Sequence, residues 1–335
     1  MKQIQFLRDA DADISVLANK CVAVLGYGNQ GRAQAQNLRD SGINTIIGGR
    51  EGKSAELARQ EGFEVFSISQ AVKQADIIHI LLPDERQGSI FRAEILPFLE
   101  SGKTLCVSHG FAFVFGEIIP PDGVNAIMVS PKGPGADVRS HYLAGSGLAG
   151  LIAVKQDATG NARDIALALA CANGFTRTGV LEVTMEQETH GDLFGEQNVL
   201  CGGLVDLVRC AYEVLTEEGY PPEIAYFECY HEVKLLADLM HYRGIAKTNA
   251  AISNTAEWGE YINGPRIIST DVKERMRDSL REIRSGSFAK KWLAEAEKGL
   301  PNLLAKRAAS AEHPIEEVGE RIRKLFENKS ERSSQ

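Results

Sequence analysis

The chain has 335 residues, 44% of them hydrophobic, and a formal net charge of -8 at pH 7. That length exceeds one compact core and predicts two domains. The acidic balance argues against nucleic acid or an anionic membrane as the main partner; no apolar run is long enough to span a bilayer, and Met1 to Asp9 has no signal-peptide core, so a cytoplasmic protein is expected.

In chain order, Cys21-Val-Ala-Val-Leu25 reads as a buried strand, followed by Gly26-Tyr27-Gly28-Asn29-Gln30-Gly31 and a helix from Arg32 to Arg39. This is a GxGxxG fingerprint in its setting of strand, turn and helix, where glycines let the backbone approach a pyrophosphate seated on the helix N-terminus. Alternation continues with strands over 45–48, 64–66 and 77–82 and helices over 54–61 and 68–74. Further strands are expected over 104–107, 126–129 and 148–154, with an alanine-rich helix over 161–172. The pattern predicts a Rossmann-type, doubly wound α/β sheet. Six cysteines, at positions 21, 106, 171, 201, 210 and 229, lie in apolar contexts without Cys-x-x-Cys spacing, and read as reduced core residues.

Ligands of such sheets bind beyond the carboxyl ends of the strands. Three clusters follow strands there: Pro83-Asp84-Glu85-Arg86-Gln87, Ser108-His109-Gly110-Phe111 and Ser130-Pro131-Lys132-Gly133-Pro134-Gly135. His109 and Lys132 are the titratable side chains singled out by that placement. The adenosine ribose is read at the end of the second strand, in Gly48-Gly49-Arg50-Glu51-Gly52-Lys53-Ser54. Arg50, Lys53 and Ser54 suit a 2'-phosphate, whereas Glu51 would repel one if it pointed inward, so use of either NADPH or NADH is expected.

From about Val183 helical periodicity takes over, through 197–217, 222–240, 246–261 and 271–285, with breaks expected at Gly219-Tyr-Pro-Pro222 and Asn263-Gly-Pro265. His313-Pro314 opens a last amphipathic helix with Ile315, Val318, Ile322, Leu325 and Phe326 on one side, and a polar, disordered tail is expected from Glu327. Two acidic pairs, Asp192 with Glu196 and Glu228 with Glu232, have the spacing that puts both carboxylates on one helix face. Their neighbours are so apolar that the helices should be buried, and buried carboxylates ask for a positive partner. Lys234 is the only basic side chain close in sequence; an all-oxygen set suits Mg2+ or Mn2+. Ser253-Asn254-Thr255 could cap a helix.

Taken together, these motifs resemble the short-form, class I ketol-acid reductoisomerases. The resemblance runs from Gly26-Tyr-Gly-Asn-Gln-Gly31 through Pro83-Asp-Glu85, His109-Gly-Phe111, Pro131-Lys-Gly-Pro-Gly135, Asp192-Leu-Phe-Gly-Glu-Gln197, Phe227-Glu-Cys-Tyr-His-Glu232 and Ile252-Ser-Asn254 to His313-Pro-Ile-Glu316. It implies Mg2+-dependent alkyl migration in 2-acetolactate or 2-aceto-2-hydroxybutyrate followed by NAD(P)H reduction, in branched-chain amino-acid synthesis. It also implies two Mg2+ ions, with Asp192 bridging them, Glu196 on one, and Glu228 and Glu232 supplied by the partner subunit. Ser253 would hold the substrate carboxylate, Glu188 and Lys132 would support the metal shell, and His109 would be the active-site histidine. Tyr27 to Gln30, Asp84 to Gln87 and Gly135 would line the cofactor. The resemblance further implies a helical domain that is all-α and intertwined (knotted) between the subunits of a homodimer, with dodecamers in some members. The family usually places serine or threonine beside the loop arginine, whereas this loop is shorter and carries Glu51 and Lys53. On this reading residues 1–182 form the NAD(P)-binding domain, 183–327 the helical metal, substrate and dimerisation domain, and 328–335 the tail. A metal-free β-hydroxyacid dehydrogenase, a helical di-iron protein and a non-catalytic nucleotide-binding protein are the alternatives that the residues leave open.

Overall fold

A computed structural model of the chain describes residues 5–332, with side chains through residue 326. It divides into two compact units on either side of Gly191 and Asp192.

The first unit contains, in order, β1 (Phe6–Leu7), β2 (Cys21–Leu25), α1 (Asn29–Asp40), β3 (Asn44–Gly48), α2 (Lys53–Gln60), β4 (Val65–Phe66), α3 (Ile68–Gln74), β5 (Ile77–Ile80) and α4 (Asp84–Ile90). Then come β6 (Thr104–Val107), α5 (Phe111–Val114), β7 (Asn125–Pro131), α6 (Gly135–Leu143), β8 (Gly150–Gln156), α7 (Ala162–Ala172), α8 (Phe175–Thr178), β9 (Val180–Glu182) and α9 (Met185–Gly195), the last running into the second unit. One sheet holds the strands in the order β1-β9-β8-β7-β6-β5-β2-β3-β4. From β4 to β7 neighbours are parallel, in the order of a dinucleotide-binding domain with β2 as its first strand. β8 then runs antiparallel to β7, so the sheet is mixed. Alternate residues of β2 feed cores on both sheet faces, Val22 and Val24 with α1 and α7, Ala23 and Leu25 with α3. That is why the strand reads as one unbroken apolar run. The short strands β1 and β9, at one end of the sheet, were not expected; at two and three residues they are too short to carry a period.

The second unit is helical: α10 (Gly203–Glu217), α11 (Pro222–Tyr226), α12 (Glu232–Arg243), α13 (Ile245–Asn249), α14 (Asn254–Ile267), α15 (Thr270–Arg284), α16 (Ser287–Glu297), α17 (Pro301–Ala311) and α18 (Pro314–Arg332). Val208, Tyr212, Ala225, Tyr226, Ile315, Val318 and Ile322 form its core. The helix backbone continues through the start of the expected tail to Arg332, and residues 333–335 lie outside the described residues.

Several expectations need correction here. The single helix expected over 246–261 is two, because Ser253 is extended and caps α14. Asn263-Gly-Pro265 is no break: Pro265 lies in the last turns of α14, where its missing N–H removes one bond and Ile268 N still donates to Gly264 O at 2.9 Å. The long helices expected through 197–217 and 222–240 contain π-turns at Glu196–Leu200 and Phe227–His231. The first π-turn demands glycine after it, since a Cβ on Gly202 would lie 1.9 Å from the Gln197 carbonyl oxygen. The second separates Glu228 from Glu232 by a widened turn, so these carboxylates do not stack one above the other.

The apolar helices around the acidic pairs are not buried within the chain. Val199, Leu200, Tyr230, Leu235 and Leu236 are exposed, as are Cys201 and Cys210, which therefore are not core cysteines. Lys234 pairs with Asp238 at 2.5 Å, one turn along its own helix, rather than with either acidic pair.

His79 on β5 is fully buried, its Nε2 3.2 Å from Ser108 Oγ. Burial pushes its imidazole down from 6.5 to about 4. Protons therefore bind the unfolded chain first, and the stability linked to the neutral ring is complete above pH 6.5 and lost as the pH falls to about 4. Replacing His79→Leu should remove that share of acid sensitivity, on the order of 3 kcal/mol, read from urea midpoints across this range. Equal acid loss in both proteins would assign it to other groups.

Candidate active site

The turn between β2 and α1 is built by close backbone approach. A Cβ on Gly31 would stand 2.1 Å from the Gly26 carbonyl oxygen, and one on Gly135 would stand 2.1 Å from the Asn29 carbonyl oxygen. Gln30 Nε2 donates to Gly133 O at 3.0 Å, tying the same turn to the loop after β7. Nothing lies within 4 Å of a Cβ position on Gly28, the residue that precedes α1. A side chain at Gly28 would stand in that open space at the start of α1, where a pyrophosphate would be expected to sit.

Not every expected cofactor residue points there. The Tyr27 ring packs edge-on against Phe63 at 5.6 Å and its hydroxyl donates to Glu61 at 2.5 Å. Gln87 is buried and donates to Leu82 O at 2.8 Å and Asp84 Oδ1 at 3.1 Å. Both side chains brace neighbouring loops. Asp84 and Glu85 are half-buried in the first turn of α4, and Arg86 is exposed. In the loop after β3, Glu51 pairs with Arg59 of α2, with contacts of 2.6 and 2.8 Å.

A second group forms at the ends of β6 and β7. The Glu188 carboxylate, with no exposed side-chain surface, accepts from Ser130 Oγ at 2.8 Å and Lys132 Nζ at 2.9 Å through one oxygen, and its other oxygen stands 3.3 Å from His109 Nδ1. Burial alone would raise this carboxyl, but His109 and then Lys132 outweigh it and hold it at about 2. Ser108 is tied to α1 through Gln34, whose Nε2 lies 3.0 Å away. Asp192 follows one helical turn after Glu188 on α9, and ligand atoms of His109, Glu188 and Asp192 all lie within 4.8 Å of one another. Among the described residues this is the one such group of His, Cys, Asp and Glu that could hold a metal ion. Two carboxylates suit a hard divalent cation. Ser130, Lys132 and His109 already engage Glu188, and Asp192 brings the second carboxylate to the group.

Glu196 is exposed at the start of its π-turn, and Glu228 and Glu232 are exposed on the second unit and belong to no such group. The Ser253 hydroxyl accepts the Ala256 N–H at 3.1 Å as the cap of α14. Ser130 was missed as a candidate in its own right; its signal was its place at a strand end two residues before Lys132.

The family profile described as "Acetohydroxy acid isomeroreductase, NADPH-binding domain" matches residues 16–179, and "Ketol-acid reductoisomerase, C-terminal domain" matches residues 185–328. The chain belongs to the ketol-acid reductoisomerase family. It is 61% identical over 324 residues to the ketol-acid reductoisomerase (NADP(+)) of Akkermansia muciniphila, covering 97% of this chain and 99% of that protein. It is 51% identical over 332 residues to the ketol-acid reductoisomerase (NAD(+)) of an uncultured archaeon, covering 97% of this chain and 100% of that protein. The solved structure of an NADH-preferring ketol-acid reductoisomerase from an uncultured archaeon superposes with a TM-score of 0.94 at 51% identity, covering 96% of this chain and 99% of that one. Membership in the ketol-acid reductoisomerases makes the chain an enzyme of the oxidoreductase and isomerase kind, and sets aside the dehydrogenase, di-iron and non-catalytic alternatives.

Two outcomes follow from this geometry. Gly31→Ala should weaken NADPH binding about tenfold or more by pushing the turn apart, as read by nucleotide fluorescence titration; unchanged affinity would show that close approach is not needed. Glu188→Gln should cost about 2–3 kcal/mol in denaturant unfolding, because Lys132 and His109 lose their shared counter-charge; a loss below experimental error would mean that the buried pair is energetically idle.

Proposed function

We propose that the chain converts 2-acetolactate, or 2-aceto-2-hydroxybutyrate, to the 2,3-dihydroxy acid by Mg2+-dependent alkyl migration and NAD(P)H reduction, in valine, isoleucine and leucine synthesis. The observation that carries this reading is the buried Glu188 that holds Lys132 and His109 in the unit that also builds the glycine cradle, with Asp192 one helical turn further along α9. When bound, two divalent cations would polarise the ketone and acidify the hydroxyl, and reduced nicotinamide would supply hydride.

Each residue then has a task. Asp192 and Glu196 would hold the cations from one copy of the chain, and Glu228 and Glu232 would be supplied by a second copy. Glu232 takes the hydroxyl proton, which frees the electron pair that lets the alkyl group move to the neighbouring carbon. Lys132, oriented by Glu188, presents a fixed ammonium to the oxygen where negative charge develops, and His109 adds to the same field. Ser253 accepts the Ala256 N–H and so keeps its own hydrogen to donate to the substrate carboxylate, at the positive end of α14. Arg50, Glu51, Lys53 and Ser54 read the ribose of NADPH or NADH.

A homodimer is the smallest working unit in this reading. Leu204, Val205 and Leu207 of α10, Leu235, Leu236 and Met240 of α12, and Trp258, Tyr261 and Ile262 of α14 are all exposed. Apolar surface on three successive long helices favours burial against a second copy. Among the described residues no helix is long and apolar enough to cross a membrane, and we place the enzyme in the cytoplasm.

NADPH or NADH oxidation with 2-acetolactate is expected in Mg2+ and not in excess chelator. Asp192→Asn should lower turnover at least about a thousandfold by removing a cation ligand, with NADPH affinity kept within about twofold. Turnover indifferent to chelator, or normal in Asp192→Asn, would remove the metal site from the mechanism.

A further inference from the structure

We propose that Arg59 sets the cofactor preference, acting as a positioning residue through its fork-on-fork pair with Glu51; the inference rests on the ribose-binding role given above to the loop after β3. Arg59 Nη2 lies 2.6 Å from Glu51 Oε1 and Arg59 Nη1 2.8 Å from Glu51 Oε2, so one guanidinium engages both carboxylate oxygens. The pair joins the loop to the last turn of α2, across Gly52 with its φ of 144°.

This geometry has two consequences. A carboxylate beside the adenosine ribose ordinarily excludes a 2'-phosphate by like-charge repulsion. Held by Arg59, the Glu51 charge is compensated. Without Arg59 the Glu51 carboxylate stands uncompensated in the ribose loop and repels a 2'-phosphate. Each Glu51 oxygen nevertheless keeps a lone pair beyond the guanidinium, so it still accepts from a free 2'-hydroxyl. The pair therefore admits both cofactors, and Arg59 is the part that NADPH needs and NADH does not. The family offers both outcomes, since one relative is named for NADP(+) and another for NAD(+).

The test is fluorescence titration of the full-length protein with NADPH and with NADH at low ionic strength, for the natural chain, Arg59→Gln, Glu51→Gln and the double variant. Arg59 is 43% exposed, so Arg59→Gln should leave the melting temperature nearly unchanged. The NADPH dissociation constant should rise about tenfold in Arg59→Gln while that for NADH changes less than about threefold. In the Glu51→Gln background, Arg59→Gln should weaken NADPH less than about threefold, because no carboxylate remains to be compensated. An equal loss in both backgrounds would overturn the proposal and make Arg59 a direct phosphate ligand. A loss shared by both cofactors, or none, would overturn it as well. If the natural chain bound neither nucleotide, the cofactor reading itself would fall, which is a distinct result.

Discussion

A carboxylate with no exposed surface has to be held by cations and donors, and much of this site follows from that requirement at Glu188. Ser130 and Lys132 come from the end of β7, His109 from the end of β6, and Glu188 from the helix that leaves the sheet. Three separate elements are thus fixed to one charge. The stability of such a group depends on keeping every partner, because a single loss leaves a buried charge uncompensated. The same contacts fix an ammonium and an imidazole on a carboxylate one helical turn before Asp192, so one electrostatic constraint serves both the fold and the proposed chemistry.

Backbone proximity is the second constraint, and it couples to the first. The turn after β2 and the loop after β7 meet through Gly135 and Gln30, while Gln34 of α1 reaches Ser108 beside His109. A nucleotide cradle and a charged cluster are therefore braced by the same short helix. Movement of α1 would disturb both, which is a physical reason for the small side chains and paired amides along it.

In the helical unit the governing fact is apolar surface that the chain itself leaves uncovered. Its core is seven residues, whereas α10, α12 and α14 each carry several exposed large hydrophobics. π-turns interrupt the two acidic helices where Glu196 and Glu228 lie, and they re-aim these side chains relative to the regular spacing.

What could be read from the chain alone was local. Cys21 to Gly31 declares a strand, a tight turn and a helix because an apolar run and three glycines act within eleven residues. Ile315, Val318 and Ile322 declare their burial through period. Spacing and placement singled out the acidic pairs and Lys132, and the resemblance added an implied role for each, because motif residues keep their order along a chain. Lys234, the nearest cation in sequence to an acidic pair, turned to Asp238 instead, since one helical turn is closer than any distant element. The bonds of Tyr27 to Glu61 and of Gln87 to Leu82 were not legible in the sequence, because a buried hydroxyl or amide takes the partner that folding brings to it. By itself the sequence determined the alternation of strands and helices, the glycine turn and the residue types available for chemistry. Only the tertiary structure decided that Glu188 is buried, that Ser130 and His109 share it, and that Glu51 faces Arg59, because burial and charge pairing depend on which distant strand ends the fold places side by side.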